Sequence, residues 1–223
     1  MGLCTTGDHL RVTNDVYYPI WRGTDRDVAM GAIGRLTEIG GGTNPDFAYS
    51  LTIYAATAAD LATYAGLGGW CTLTIDDADG LAAQLSAAGL PFQRIPFGGD
   101  IGLALDDQAG SIIGSLTGGA GSVVWDPDIP FDFATPLAMV TTETASAEWI
   151  FRGWPPIPSI GLSQQPKHSG VQLVINGDSA VASKLAPHHT LYVTVGPWLG
   201  EDRRAAWLAA QVGLEIIGRA ESP

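Results

Sequence analysis

The chain has 223 residues, 46% of them hydrophobic, and sets 11 Lys and Arg against 23 Asp and Glu for a formal net charge of −12. That length and apolar content can bury a real core, as one domain of two halves or as two small domains. The charge argues against a phosphate-binding surface, because nucleic-acid binders need clustered cations to release counterions, so nucleic acid is not an expected partner. No run of 18 apolar residues and no basic-then-apolar leader is visible. Neither a membrane span nor a signal peptide is therefore expected, and the reading is a soluble cytoplasmic protein. Cys4 and Cys71 each fall in a predicted strand and read as buried thiols rather than a disulfide.

Taken in order, Gly2 to Asp8 (GLCTTGD) reads as a strand running into a turn. His9 to Trp21 carries Val, Thr, Asn, Tyr and Pro19, which are poor helix interior, so any helix there is short, broken or absent. Asp25 to Leu36 contains two glycines and fits a short helix or a strand and turn. Gly40 to Pro45 is a loop, Phe47 to Tyr54 alternates as a strand does, and Thr57 to Tyr64 is a turn of helix or a compact loop.

Trp70 to Leu116 is the most legible stretch and predicts a βαβββ unit. Cys71 to Ile75 is a short β-branched run, and Asp76, Asp77 and Asp79 sit where a helix start wants carboxylates. Leu81, Leu85 and Ala88 recur at helical spacing, with Gly89 as the stop. Three strands are predicted after it, Phe92 to Pro96, Ile101 to Leu105 and Ser111 to Leu116, the last entered by a hairpin turn at Asp106 to Gly110. Thr117 to Pro136 is rich in Gly, Asp and Pro and reads as a linker, which divides the chain into 1–118, a linker at 119–136, and 137–223. The pattern then restarts. Met139 to Thr142 echoes Leu3 to Thr6, and Ser169 to Val195 aligns on Tyr49 to Ile75, an internal repeat. A helix over Glu201 to Val212 and a strand over Leu214 to Gly218 follow, and the last unit is read as trimmed.

The D-D-A-D helix start, the A-A-G stop, the D-x-x-G turn and the phrase TTETASAEWIFRGW at Thr141 to Trp154 resemble the vicinal oxygen chelate superfamily, which holds glyoxalases, extradiol dioxygenases and bleomycin-resistance proteins. The resemblance implies an α+β fold of two modules, each built from repeated βαβββ units with half-barrel sheets. It also implies a divalent metal held by inward His, Gln or Glu side chains. This chain departs from that pattern: Leu3-Cys4-Thr5, Trp70-Cys71-Thr72 and the strand around Gly114 offer no ligand where relatives have one. No metal and no other cofactor is expected. His188 and His189 are the place to look for a surviving ligand, but they follow Pro187 and read as solvated or packed.

What remains is an aromatic interior suited to a flat hydrophobic ligand, because stacking and area burial give affinity without charge. Trp21, Trp70, Trp149, Phe151 and Trp154 are the expected substrate-binding side chains. Tyr18, Asp15, Glu148, Tyr192 and His189 are the candidates for acid, base or hydrogen-bond donor. Two readings follow. One is a metal-independent cyclase, isomerase or lyase acting on a hydrophobic secondary-metabolite intermediate. The other is a binding protein that sequesters a drug or metabolite without chemistry. A third makes the chain a partner subunit or homodimer that pairs through exposed sheet edges.

Overall fold

A computed structural model of the chain describes residues 15–41, 48–95, 100–116, 118–125, 134–151, 153–167, 169–182 and 184–222. Within them run, in order, β1 (Val16–Gly23), α1 (Arg26–Ile39), β2 (Ala48–Ala55), α2 (Ala58–Ala62), β3 (Trp70–Thr74), α3 (Ala78–Ala87), β4 (Phe92–Arg94) and β5 (Ile101–Ala104). They continue with α4 (Asp107–Gly114), β6 (Ala120–Trp125), α5 (Ala134–Met139), β7 (Thr144–Phe151), β8 (Ser169–Ile175), β9 (His189–Val195) and α6 (Glu201–Gln211). The strands form a single open antiparallel sheet in the order β1-β9-β8-β7-β2-β6-β3-β5-β4. The class is α+β. No helix among the described residues is long and apolar enough to cross a membrane.

The starts of α1, α3 and α4 follow carboxylate chemistry. Asp25 accepts from the Asp27 and Val28 amides at the start of α1, and Asp77 from Gly80 at the start of α3. Gly89, at φ +71°, ends α3 as its position in the sequence predicts. Asp25 to Leu36 resolves as helix because Ala29, Ala32, Ile33 and Leu36 form one buried stripe, with neither glycine in it. The buried faces of α1, α2, α3, α4 and α6 join alternate residues of the strands, among them Leu51, Ile53, Leu73, Val123, Leu173 and Val193, in one core.

Several sequence expectations are corrected. Asp106 to Gly110 is the first turn of α4 rather than a hairpin, and Ser111 to Leu116 is helix followed by a short turn rather than strand. The Asp106 carboxylate accepts the Ala109 amide at 2.8 Å, and Ala109 and Ile113, four apart, are buried. Gly110 lets α4 approach the turn after α2, since a Cβ there would stand 2.5 Å from Ala65 Cβ. The stretch is thus strand–helix–strand–strand–helix. The segment read as a linker supplies β6, which lies between β2 and β3 with Val123 and Trp125 buried. The weak helix signal over His9 to Trp21 agrees with the described part, where Val16 to Gly23 is strand, as its Val, Tyr, Ile and Trp favour. Met139 ends a helix and β7 begins at Thr144, inside the TTETASAEWIFRGW phrase. The expected strand at Gly2 to Asp8 lies outside the described residues, as does most of the Gly40 to Pro45 loop.

Leu214 to Gly218 is not a strand of a repeated unit. It belongs to a C-terminal segment that runs along the outer edge of β1, where Ile217 N–H donates to Pro19 O at 2.9 Å and Tyr17 and Glu221 exchange two backbone bonds of 2.9 Å. The opposite edge, β4, is three residues long and carries the Arg94–Asp79 ion pair of 2.6 Å. Short charged edges of this kind discourage further strand addition.

Candidate functional site

The sequence candidates fall in separate places. Strand register sets Ser50, Glu148, Gln172, Tyr192 and Pro19 in one row across β2, β7, β8, β9 and β1. Gln172 Nε2 faces three acceptors, Ser146 Oγ and Ala180 O at 2.8 Å and Glu148 Oε1 at 3.4 Å, while its buried Oε1 has no partner among the described residues. Tyr192 Oη lies 2.8 Å from Asp178 O and 3.1 Å from Glu221 Oε1. Glu221 Oε2 in turn accepts from Ala180 N–H at 2.8 Å and Ser179 Oγ at 3.2 Å. Burial first, then the Glu221 carboxylate, push the Tyr192 phenol well above its ordinary range, so it serves as a donor and not as a base. Gln172 separates Glu148 from Tyr192. The row seats the β8–β9 connection and the C-terminal segment on the sheet.

Tyr18 is on the opposite face. Its hydroxyl donates to Glu201 Oε1 at 3.4 Å, and its pKa is pushed up to about 12 by burial and then by Glu201 and Asp202. Asp15 is buried just before β1. His189 opens β9, buried at 6% exposure rather than solvated. These five residues do not share one pocket. Among the described residues no group of three His, Cys, Asp or Glu side chains is placed to hold a metal.

The aromatic candidates divide the same way. Trp154 is fully buried; its Nε1 donates to Thr194 O at 2.8 Å and its ring meets Phe151 edge-on at 4.7 Å between centroids. Trp149 and Phe151 belong to the same helix-side core. Trp70 is 41% exposed and lies across Gly102, where a Cβ would stand 2.8 Å from its Cζ2.

Of the five, Trp21 lines a cleft beside the end of α6. Register slips by one residue between Pro19 and Trp21, a bulge that turns Ile20 and Trp21 toward the end of α6. The Trp21 ring rests over Gly23, where a Cβ would meet its Cζ2 at 2.6 Å. Facing it are Gly213, Leu214, Glu215 and Ile217, and with Ile20 and Arg22 they bound a cleft of about 430 Å³. Gly213, at φ +74°, makes this wall by stopping α6, its amide bonded to Ala210 O at 3.1 Å. A second cleft, of about 300 Å³ at the start of α3, is lined by Ile75, Asp76, Asp77, Leu81, Gln84 and Ser115 and has no aromatic wall.

The sequence reading missed Arg22 as a cleft residue and Gln172 as the centre of the polar row, and it weighed Glu215 only as a partner for His188 or His189 in a metal site. Nothing in local spacing marks a bulge or says which strand lies beside which. Gln in the apolar run VQLVI is the one signal, since a buried amide needs partners. Searches against family models, curated proteins and solved structures return no match for this chain.

Proposed function

We propose that this protein binds a flat, hydrophobic small molecule in the Trp21 cleft and does no chemistry on it, as a sequestering protein does. The observation that carries the reading is the cleft itself: an aromatic wall set by a bulge and a glycine, with apolar Leu214 and Ile217 opposite. Such walls bind by area and stacking. The absence of Asp15, Tyr18, Glu148, Tyr192 and His189 from its lining favours binding over catalysis. Kinship with the vicinal oxygen chelate superfamily, and an origin in two modules, belong to the same proposal. They are supported by the strand–helix–strand from Trp70 to Arg94 with its Asp77 cap and Gly89 stop.

The test uses 8-anilinonaphthalene-1-sulfonate, a fluorescent probe with a flat naphthalene ring. The expected result is saturable one-to-one binding that is lost in Trp21→Ala and kept in Trp70→Ala. Equal binding by all three proteins sinks the proposal. An enzymatic reading keeps one foothold, because Glu215 is the single carboxylate lining the cleft. Conversion of a bound ligand by catalytic amounts of protein, abolished by Glu215→Gln, would replace sequestration with acid–base catalysis.

A further inference from the structure

We propose that His189, Arg26 and Asn176 form an acid-sensitive latch that ties α5 and the turn before β7 to the sheet and lets go when the imidazole takes up a proton. The argument starts from ring chemistry. Asn176 N–H points at His189 Nδ1 at 3.0 Å, and Arg26 Nε–H points at Nε2 at 3.2 Å. A neutral imidazole has one acceptor nitrogen and an imidazolium has none. The neutral ring therefore satisfies one of the two donors. The protonated ring satisfies neither and sets a second cation against Arg26.

Both donors are also the ties. The Arg26 guanidinium donates to Leu137 O at 2.5 Å and to Val140 O at 2.8 Å, holding α5 and the residue after it. Asn176 Nδ2 donates to Thr141 O at 3.2 Å and Glu143 O at 2.8 Å, which keeps its backbone at φ +51° with the amide aimed at the ring. Asparagine tolerates that left-handed conformation. Every group facing the ring opposes its protonation. Arg26 does so from α1 and His188 from the preceding position, after burial itself. Gly23, its partner on β1, has no charge to offer. Asp25 and Asp27 flank Arg26 but are exposed, and Asp25 caps its own helix. The Glu143 carboxylate is turned to the Thr141 and Thr142 amides.

The ring's pKa is held below its ordinary 6.5. The latch is closed above that pH, and its contribution to stability is lost as pH falls through the folded-state value. The test is an NMR titration of the wild-type imidazole nitrogens from about pH 8 to about 5, with amide exchange read at Val140, Thr141 and Thr142 against α3 as reference. His189 is expected to titrate below 6.5, with protection at those three amides falling about tenfold or more over the same range after correction for intrinsic exchange. In His189→Gln that step disappears. Titration of His189 at or above 6.5, or protection that ignores its titration, overturns the proposal, and neither readout depends on whether the variant folds.

Discussion

β8 and β9 are buried at every residue, whereas β3, four places along the same sheet from β8, alternates between buried Cys71 and Leu73 and exposed Trp70 and Thr74. The difference is what lies on the second face. Over β8, β9 and β1 the β8–β9 connection closes a small cluster of Tyr17, Val174, Ala180, Ala182 and Tyr192. In the other half Trp70 and Tyr54 keep 41% and 39% exposure. Where both faces are closed, water cannot serve the polar side chains, and Gln172 Nε2, Thr190 and Tyr192 bond within the protein. Where one face is open, period-two alternation does the same work without partners. A polar side chain on a strand covered on both faces therefore needs a partner within the protein, whereas on a strand covered on one face water can serve it.

That contrast can be broken experimentally. The helix side of the open half should be as closed as the covered half. Cys71 is fully buried and its thiol pushed up to about 12 by burial, so alkylation of the Cys71 peptide at mildly alkaline pH should be undetectable by mass spectrometry in native protein and complete in denaturant. Trp154→Ala should cost about 3–5 kcal/mol in chemical denaturation, since it empties a fully buried site and removes a donor from Thr194 O. Tyr192→Phe should cost about 1–2 kcal/mol, because Asp178 O and Glu221 lose the phenol while the ring stays. Trp70→Ala, on the open face, should change stability by about 1 kcal/mol or less. A Trp70 cost equal to that of Trp154 would mean the open face is covered in solution.

How far the sequence disclosed each element depended on the range of its signals rather than on the half it lies in. The strand–helix–strand from Trp70 to Arg94 was legible because its signals are local: a β-branched run, an aspartate cap, a helical stripe and a glycine stop. The same kind of aspartate stands before α4, but Asp-Asp-Gln-Ala-Gly also fits a turn, and the burial of Ala109 and Ile113 that decides for helix depends on α2. β6 was hidden among glycines and prolines, since a short strand flanked by loop residues acquires its identity from the neighbours it pairs with. Among the site residues, Trp21 was anticipated by type, while its cleft partners lie almost 200 positions away. Glu148 and Tyr192 share a row that only register reveals.

The segment along the outer edge of β1 bears on how the molecule is made. β1 has β9 on one side and the residues around Glu221 on the other, while Tyr18 and Glu201 stand 183 positions apart in sequence. On the ribosome this strand emerges before both its neighbours and waits for them through the synthesis of nearly everything between. Assembly of that side of the sheet is then a late, long-range closure, of the kind that forms slowly because loop closure precedes the contacts that reward it.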